Sequence, residues 1–535
     1  MEMRKFMLAF CLLFAWVAVM AQNNDAELRD KITNAVMRVY DEQLAKDPND
    51  YNTLFARAHQ NYYNGDFVAA LADVNQAMLI TPKKDKDLRF DEHILRARIS
   101  EARNDYASEI ADLKLALELK PKSLACTDML AKANLKAGNL DAAQKAFETI
   151  LRAESRNYDA MYGLALVEQA RNHSTAALAH VNKAVELFRN IPQVYENRAD
   201  ILAKQGNIEE AVQNLVLGMS MNDGGNAAQC LFDMSDDHYA EVMSALGNLA
   251  MTAEDGGAMC RFLRANIAID HSRFGQALRD LNYIKRNHLY DSDVIYYDHA
   301  KCLLELARFD EALTSIDLAI GRNPMQPEFY IVKALAAYYA GGEKNYQAAM
   351  DALDQCSHIA PQHVPMLLTK AALLASQGMD KDALGYLNAA VANEPANAEA
   401  RIARGLTLKR LGGYDELAAK DFNVMTLLGD DMYNLKGFAL SELERDVDAF
   451  KWINAIEKEQ LPGGENFYCL ASLMAAKGDN FKAMSYLQQA LDKGYGSLFK
   501  LQYDDLSPLN IKSLRSEPEF EDLLLKANRN FVEAD

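Results

Sequence analysis

The feature that most constrains this chain of 535 residues is a set of small residues that returns every 34 positions. Counted from Leu124, Tyr158 and Pro192, each stretch of 34 residues has an alanine at position 8 and another at position 20. These alanines are Ala131, Ala143, Ala165, Ala177, Ala199 and Ala211. A small residue kept at this spacing indicates a close packing contact, because overpacking such a contact costs about 1–3 kcal/mol. The strict spacing indicates an internal repeat of 34 residues.

The same spacing continues further along the chain. The stretches that begin at Asp293 and Val364 repeat both alanines and add a proline at position 32. The residues concerned are Ala300, Ala312 and Pro324 in the first stretch and Ala371, Ala383 and Pro395 in the second. Because proline cannot continue an α-helix, we expect it to mark the end of a helix. Further matches begin near residues 51, 90, 258, 327, 398, 430 and 464, and extra residues in "YAGGEKNY" predict a longer loop in the stretch from 327.

These positions resemble the pattern of the tetratricopeptide repeat family, a helix–turn–helix of 34 residues. The resemblance covers residues 51–495, although the tryptophan usual at position 4 of the family is absent. It implies an all-α fold, namely a right-handed superhelical solenoid of about 11–12 antiparallel helix pairs. Glycines such as Gly138 and Gly206 stand where the first helix of a pair is expected to end.

The chain is predicted to comprise six segments. Residues 1–21 are a signal peptide, residues 22–50 an N-terminal capping helix, and residues 51–223 a first array of repeats. Residues 224–257 fit the period poorly and contain two Asp-Gly-Gly breaks, so we interpret them either as a degenerate repeat or as a joint. A second array covers residues 258–495. Residues 496–535 leave the period and are predicted to cap the last repeat, because a terminal repeat has an apolar face without a neighbour.

The N-terminal segment has the pattern of a secretory signal. Arg4 and Lys5 precede the apolar run "FMLAFCLLFAWVAVMA", and the chain turns polar at Gln22 after the small residue Ala21. A positive start, a short apolar run and a small residue before the cut are typical of a cleavable signal peptide. The run is short for a membrane span of about 20 residues, and an uncleaved anchor is the alternative. We expect a periplasmic or otherwise exported protein with no transmembrane segment in the mature chain.

Charge and cysteine content exclude one class of partner and leave one question open. The formal net charge of −19 at pH 7 repels a polyphosphate, and no block of lysine and arginine offsets it locally. Nucleic acid is therefore excluded as a partner. Most of the six cysteines beyond residue 21 occupy single helical sites in different repeats, where we interpret them as small buried hydrophobic residues. A disulfide between Cys230 and Cys260 remains an open alternative.

The sequence offers no pattern typical of an enzyme. It contains no phosphate-binding loop, no nucleophile elbow, no His-Glu-x-x-His and no Cys-x-x-Cys. The run "SDDHY" at residues 235–239 has two carboxylates and an imidazole, which a metal would accept as ligands. Such a run is more typical of a solvated turn at a helix start. We expect no catalytic residue, no metal and no cofactor.

In the resembled family, the first helix of each pair lines the concave face of the solenoid, and positions 2, 5, 9, 12 and 13 point at a partner. Here those positions are rich in aromatic residues, which give a large contact area for little entropy. They alternate with charged residues such as Arg98, Lys132 and Asp200. The predicted partner-binding residues are Phe55, His59, Tyr62, Tyr162, Tyr297, Tyr338, Phe438 and Tyr468. The alternative for each is packing between neighbouring helices.

The sequence thus predicts a non-enzymatic interaction scaffold or accessory subunit of the cell envelope, which binds a protein or an extended peptide on its concave face. Two alternatives stay open. One is a module that binds carbohydrate or cell wall, because aromatic faces also stack on sugar rings. The other is a hydrolase, or the regulator of an envelope enzyme, for which the carboxylates at 235–239 would be required.

Overall fold

A computed structural model describes residues 36–221, 226–427, 433–445, 447–449, 451, 453–454 and 464–532. The predicted signal peptide and the start of the predicted capping helix lie outside these ranges. The described residues form α-helices and short 3₁₀ helices, with no β-strand among them. They build a solenoid of helix pairs, which is the predicted fold class. The chain divides between Met234 and Ser235 into two compact units, which we name the first and the second unit.

The first unit begins with one short helix and continues as a stack in which each helix contacts the next along the chain. Its helices are α1 (residues 36–46), α2 (Tyr51–Tyr63), α3 (Phe67–Ile80), α4 (Lys86–Ala102), α5 (Tyr106–Leu119), α6 (Leu124–Lys136), α7 (Leu140–Ala153), α8 (Tyr158–Ala170), α9 (Ser174–Leu187), α10 (Pro192–Lys204) and α11 (Ile208–Met219). Leu44 of α1 packs against Leu54 and Ala77, so the described part of the predicted capping helix covers the first pair.

The second unit continues the same architecture and ends in shorter elements. Its helices are α13 (Ala258–Asp270), α14 (Phe274–Arg286), α15 (Asp293–Glu305), α16 (Phe309–Arg322), α17 (Pro327–Ala340), α18 (Glu343–Ile359), α19 (Val364–Ser376), α20 (Asp380–Asn393), α21 (Ala398–Leu411), α22 (Asp415–Met425), α23 (Tyr433–Glu442), α24 (Gly464–Ala476), α25 (Asn480–Asp492), α26 (Leu498–Gln502) and α27 (Pro518–Lys526). The 3₁₀ helices Lys512–Ser516 and Asn528–Phe531 flank α27.

The stretch 224–257 fits the repeat period poorly. Most of it forms the helix α12 (Ala227–Thr252). The division between the units falls within this helix. Its backbone departs from helical geometry at His238, where φ is −130° and ψ is 40°. Gly256 and Gly257 then take positive φ angles of 76° and 68°, and they lead into α13.

The small residues at positions 8 and 20 lie in the core of the stack. All ten alanines named from the sequence at these positions have at most 2% of their surface exposed. The two alanines of one pair share a cluster with larger side chains: Ala131 and Ala143 with Phe147, and Ala165 and Ala177 with Val181. At the crossing itself the helices leave room only for alanine side chains. Larger side chains fill the wider space on either side of the crossing.

The ends of the helices follow from backbone chemistry. Gly138 and Gly206 take φ angles of 76° and 77° directly after the first helix of their pairs, a left-handed conformation that glycine adopts without strain. Asn104 and Ala307 take the same role with φ of 57° and 58°. Pro324 and Pro395 lie two residues beyond the ends of α16 and α20, because a residue before proline avoids the helical region.

The extra residues in "YAGGEKNY" do not form the longer loop that the sequence predicted. Helix α17 ends at Ala340, and only Gly341 and Gly342, with φ of 83° and 87°, separate it from α18. The added residues instead extend α18 by nearly a turn at its N-terminus, so that it begins at Glu343 and has 17 residues. Two glycines suffice for the reversal because both reach positive φ without a steric penalty.

Polar contacts that were not predicted connect the two helices of a pair. Arg96, at position 7, donates from Nε and Nη2 to both carboxylate oxygens of Asp112, at position 23, over 2.8 and 2.7 Å. Its Nη1 also donates to Asn75 of the preceding pair at 2.8 Å. We name the side chains at positions 7 and 23 of one repeat a position-7 pair. Others are Arg57–Asp73, Arg198–Asn214 and Arg264–Asp280. In the three arginine–aspartate pairs the contact is two-pronged, which is geometrically specific and sets the register between helices.

Replacing Gly163 with alanine should destabilise the first unit. A Cβ atom at this position on α8 would lie 2.3 Å from the Phe147 ring, which is fully buried. We expect a loss of about 1–3 kcal/mol in the free energy of unfolding, measured by urea denaturation. Gly385→Ala is the matched control, because nothing lies within 4 Å of its Cβ position in α20. It should gain about 0.5–1 kcal/mol from helix propensity. Equal effects of the two variants would contradict the close approach at Gly163.

Candidate functional site

Several first helices of successive pairs contact one another within each unit: α2 contacts α4, α8 contacts α6 and α10, and α17 and α19 each contact the first helices on both sides of them. We call the first helices of one unit its layer. In the first unit this layer consists of α2, α4, α6, α8 and α10. In the second unit it includes α15, α17, α19 and α21, and α24 forms its last pair with α25. We name the outer surface of each layer its A face. All eight predicted partner-binding residues belong to first helices, four in each unit.

Aromatic side chains cluster where α2 forms the A face of the first unit. The ring centroid of His59 lies 6.2 Å from that of Phe55 and 4.9 Å from that of Tyr63, and Tyr62 contacts Tyr63 at 5.7 Å. Phe55 and Tyr62 also pack against the core of the first two pairs. Tyr63 is 67% exposed. Tyr62 therefore stabilises the fold, whereas the Tyr63 ring faces solvent and has surface free for a contact.

The exposed guanidinium of Arg98, on α4, accompanies this aromatic cluster. Partial burial and then the positive charge of Arg98 lower the pKa of His59, so the imidazole is neutral at physiological pH. Arg98 forms no ion pair with any residue in the described part of the chain. Three other basic residues on this face are each paired with a carboxylate at 2.5 to 2.7 Å: Lys132 with Asp128, Lys136 with Glu101, and Lys204 with Asp200.

Tyr162 lies further along the same face and is already engaged. Its hydroxyl group donates to Asp200 Oδ2 at 2.7 Å and so connects α8 with α10. Burial, and then the negative charge of Asp200, raise the pKa of Tyr162. This residue therefore follows the alternative reading, packing between neighbouring helices, although its ring remains partly exposed.

The A face of the second unit is covered by residues 495–511, which we name the C-terminal segment. Gly496 N donates to the carbonyl of Ser272 at 2.9 Å, in the turn between α13 and α14. Ser497 Oγ donates to Glu305 of α15 at 2.5 Å, and Tyr339 of α17 donates to Asp504 at 3.3 Å. The segment thus reaches the first pair of the unit as well as the last. The sequence predicted only a cap on the last repeat.

The C-terminal segment is held by aromatic and ionic contacts. The ring of Phe499 lies 4.8 Å from that of Tyr339, and the ring of Tyr503 lies 5.2 Å from that of Phe309. Lys500 Nζ lies 3.0 Å from a carboxylate oxygen of Glu465. Burial alone would lower the pKa of Lys500, but the nearby carboxylates outweigh burial and raise it. The ammonium group of Lys500, which belongs to the segment, therefore stays charged beside Glu465.

The structure corrects two of the four partner-binding residues predicted in this unit. Tyr468 is only 5% exposed, and its ring stacks on that of Tyr495 at 4.7 Å. Phe438 is buried and contacts Phe422. Neither side chain is accessible to a partner, because other parts of the chain cover both.

Tyr297 and Tyr338 remain half-buried on the A face. The Tyr297 ring stacks on Phe329 at 5.1 Å, and the Tyr338 ring lies 4.9 Å from that of Tyr339, which contacts the C-terminal segment. The aromatic surface of the second unit is thus largely used within the chain.

The run "SDDHY" lies where α12 departs from helical geometry at His238, so a second helical stretch starts there, close to the helix start that the sequence suggested. Asp236, Asp270 and His271 place one ligand atom each within 4.8 Å of one another. Both carboxylates are exposed, and His271 Nε2 lies 3.0 Å from Ser235 Oγ. Exposed carboxylates commonly cluster without an ion, so this arrangement alone does not indicate a metal site.

The six cysteines beyond residue 21 are free thiols. Four of them, Cys126, Cys260, Cys302 and Cys356, are buried, as expected for small hydrophobic residues. Cys230 and Cys469 are half-buried. Burial raises the pKa of Cys126 and of Cys260 to about 11, which keeps these thiols protonated and unreactive at neutral pH.

Comparison with known proteins supports the resemblance seen in the sequence. The tetratricopeptide repeat family model matches residues 129–193 and 297–363. Those two stretches therefore carry tetratricopeptide repeats. A curated relative, DnaJ homolog subfamily C member 3 from Gallus gallus, is 23% identical over 338 residues. That alignment covers 51% of this chain and 66% of the relative, so the chain spans just under two thirds of the relative's length.

Solved structures of repeat proteins also align with the chain. The C-terminal part of a repeat protein from Cytophaga hutchinsonii aligns at 16% identity and a TM-score of 0.33, covering 44% of this chain and 98% of its own. Yeast Tom70 aligns at 13% identity and a TM-score of 0.36, covering 89% of this chain and 99% of its own. As for membranes, none of the helices in the described ranges has the length and apolar character needed to cross a bilayer.

Asp298 on α15 should make the second unit less stable as the pH rises. Burial raises its pKa to about 7, which the charge of Lys301 only partly opposes, and its buried Oδ2 has no hydrogen-bond partner among the described residues. The native state therefore binds the proton more tightly than the unfolded state does. The stability that protonated Asp298 contributes is fully present below about pH 4, the ordinary pKa of aspartate, and is lost as the pH rises through about 7.

We expect Asp298→Asn to increase the urea midpoint at pH 8 and to leave it nearly unchanged at pH 4, because the variant removes a desolvated charge. Asp317→Asn is the control, since Asp317 is exposed and forms a surface pair with Lys333 at 2.8 Å, a contact worth about 0–1 kcal/mol. A fall in stability of Asp298→Asn at pH 8 would mean that the carboxylate is paired in solution.

Proposed function

We propose that the protein is a non-enzymatic interaction scaffold, and that it binds a segment of another protein on the A face of the first unit. Tetratricopeptide repeats commonly serve as protein-interaction scaffolds, and the two matched stretches carry such repeats. The observation that carries the choice of face is the difference between the units. In the second unit the chain's own C-terminal segment covers the A face. In the first unit an aromatic cluster and Arg98, which pairs with no carboxylate among the described residues, remain exposed.

The chemistry of this face favours a particular kind of segment. Tyr63 offers an exposed ring, a rigid contact surface of the type that dominates interface energies. Arg98 offers a guanidinium that can bind a carboxylate through two hydrogen bonds. A partner segment with an apolar or aromatic side chain next to an acidic group satisfies both. Further along the face, the lysines are already neutralised by neighbouring carboxylates, so they add little attraction for a second acidic group.

The C-terminal segment supports the proposal by example. It covers an A face of the same construction with two aromatic rings, Phe499 and Tyr503, and with polar contacts from Ser497 and Asp504. A short stretch of chain with aromatic and acidic side chains therefore suits this type of surface. We infer that an external segment of similar composition binds the first unit.

The variant Tyr63→Ala/Arg98→Glu should lose partner binding without unfolding, because both side chains are exposed. We expect retention of the crosslinked partner from envelope extract to fall at least tenfold, as removal of a hot-spot residue costs about 2 kcal/mol or more. The measurement is a pull-down of the tagged mature protein, read by mass spectrometry.

The control for this experiment is Leu79→Ala, which removes an apolar side chain that is 86% exposed from α3, the second helix of the first pair. It should retain the partner. If both variants retain it, the A face of the first unit is not the binding surface. If cell-wall fragments are enriched in place of a protein, the carbohydrate-binding alternative replaces this proposal.

We also propose that the protein is exported, which rests on the sequence of residues 1–21. Signal peptidase is expected to cut after Ala21, so the mature chain should begin at Gln22. N-terminal sequencing of the protein isolated from the envelope fraction tests this, and Ala21→Arg should abolish cleavage because the enzyme requires a small residue there. A mature chain that still begins at Met1 would support the membrane-anchored alternative.

A further inference from the structure

In one repeat of the second unit, both side chains of the position-7 pair are neutral. In the repeat that begins at Asp293, position 7 is His299 and position 23 is Ser315. Two neutral side chains lie within hydrogen-bond distance of the imidazole: Nδ1 is 2.9 Å from Ser315 Oγ, and Nε2 is 3.0 Å from Asn282 Oδ1. The repeat that begins at Ala258 has the charged pair Arg264–Asp280 at these positions, whereas the pair His299–Ser315 has no negative charge.

Lys285, from α14 of the preceding pair, lies against this imidazole. Its Nζ atom is 3.0 Å from Nδ1 and 3.1 Å from Nε2 of His299, and 5.2 Å from the ring centroid of Tyr296. The side chain is half-buried, so reagents in solvent can reach it. None of the described carboxylates lies within ion-pair distance of Lys285. By contrast, Lys333 and Lys370, at position 7 of the next two repeats, pair with Asp317 and Asp354.

The charges around Lys285 are mostly positive. Arg286 follows Lys285 on α14, and Arg308 directly precedes α16. The guanidinium carbon of Arg322 lies 4.0 Å from the ring centroid of Tyr296, the ring that Lys285 also contacts. The one acidic residue near enough to act on it, Glu311, is held by Arg308 at 2.7 Å. Partial burial and then the charge of Arg286 lower the pKa of Lys285 to about 8, against the weaker effect of Glu311. Burial and Lys285 likewise lower the pKa of His299 to about 3, so the imidazole is neutral.

We propose that Lys285 is a site of covalent acylation by activated acyl donors, either thioesters or acyl phosphates. The lone pair of the neutral amine attacks the carbonyl carbon of the donor, and a new bond forms between Nζ and that carbon. The bond from the carbonyl carbon to sulfur or to the phosphate oxygen breaks, and the leaving group departs with the electron pair. The amine proton passes to water, and the product is a neutral amide. Compared with the ammonium form of Lys285, the amide has no positive charge. Its formation therefore relieves repulsion by the neighbouring guanidinium groups, which favours the product.

The advantage over other lysines follows from the fraction of neutral amine. At pH 7 a pKa of about 8 leaves roughly a tenth of the amines uncharged, against about 0.04% for an ordinary lysine. The less basic amine is also a weaker nucleophile, which offsets part of this gain. We therefore expect a net rate advantage of roughly tenfold at pH 7.

The experiment treats the full mature protein with limiting acetyl phosphate at several pH values between 6 and 10, and measures acetylation of each lysine by peptide mass spectrometry. Lys285 should react roughly tenfold faster than Lys333 at pH 7, and its rate should reach a plateau above about pH 8. The rate at Lys333, which is paired with Asp317, should continue to rise up to pH 10. Equal rates at pH 7, or a rate at Lys285 that also rises up to pH 10, would overturn the proposal.

A pair of isosteric variants separates reactivity from fold. Asn282→Asp places a carboxylate three residues before Lys285 on α14 and should lower its acetylation at pH 7 to the level of Lys333. Asn388→Asp is the matched control, because Asn388 accepts a hydrogen bond from position 7 of another repeat, Arg404, at 3.2 Å. It adds the same charge and should leave Lys285 unchanged. If Asn282→Asp reacts like the wild type while thermal unfolding shows both variants folded, the carboxylate-free setting is not what activates the lysine.

Discussion

The close crossing of two helices at a pair of alanines is the constraint on which the rest of this structure depends. The alanines at positions 8 and 20 have almost no exposed surface, so the two helices approach too closely for much apolar surface to lie between them. A single pair cannot bury a sufficient core, and stability has to come from the next pair in the stack. The side chain next to the first alanine, at position 7, reaches both its own second helix and the preceding one. Crossing and polar contact together fix the period of the chain.

The stack leaves each unit with a surface of first helices, and the two units treat it differently. The second unit covers it with the C-terminal segment, which buries Tyr495 and Leu501 completely. The segment returns to the turn at Ser272, so the first and last pairs of that unit are connected by one stretch of chain. The segment thereby covers apolar surface of these helices that would otherwise be exposed. In the first unit no described residue takes this role, which is why its aromatic cluster has contact surface left for a partner.

How much of this could be predicted depended on whether a signal is periodic. The alanine positions were predictable because the same spacing recurs and one steric cause explains it. The loop in "YAGGEKNY" was mispredicted because a helix can absorb added residues at its end, which sequence length alone does not reveal. The burial of Tyr468 was out of reach because its cover, Tyr495, is the last residue of the predicted array, where no following repeat shows which side chains pack together. The position-7 pairs did leave a signal, an arginine and an aspartate 16 residues apart as in Arg57 and Asp73, but it has meaning only once the facing positions are known.

The repeat that contains His299 shows what such a modular stack permits. Its hydrogen bonds to Ser315 and Asn282 replace those of an arginine–aspartate pair, so the contact between helices is kept while the charge is lost. Because each repeat depends mainly on its nearest neighbours, a change of this kind costs little elsewhere. Hydrogen-bond geometry and electrostatic environment can therefore vary independently from one repeat to the next. A lysine placed beside such a neutral pair acquires a chemistry that the same residue does not have beside a carboxylate.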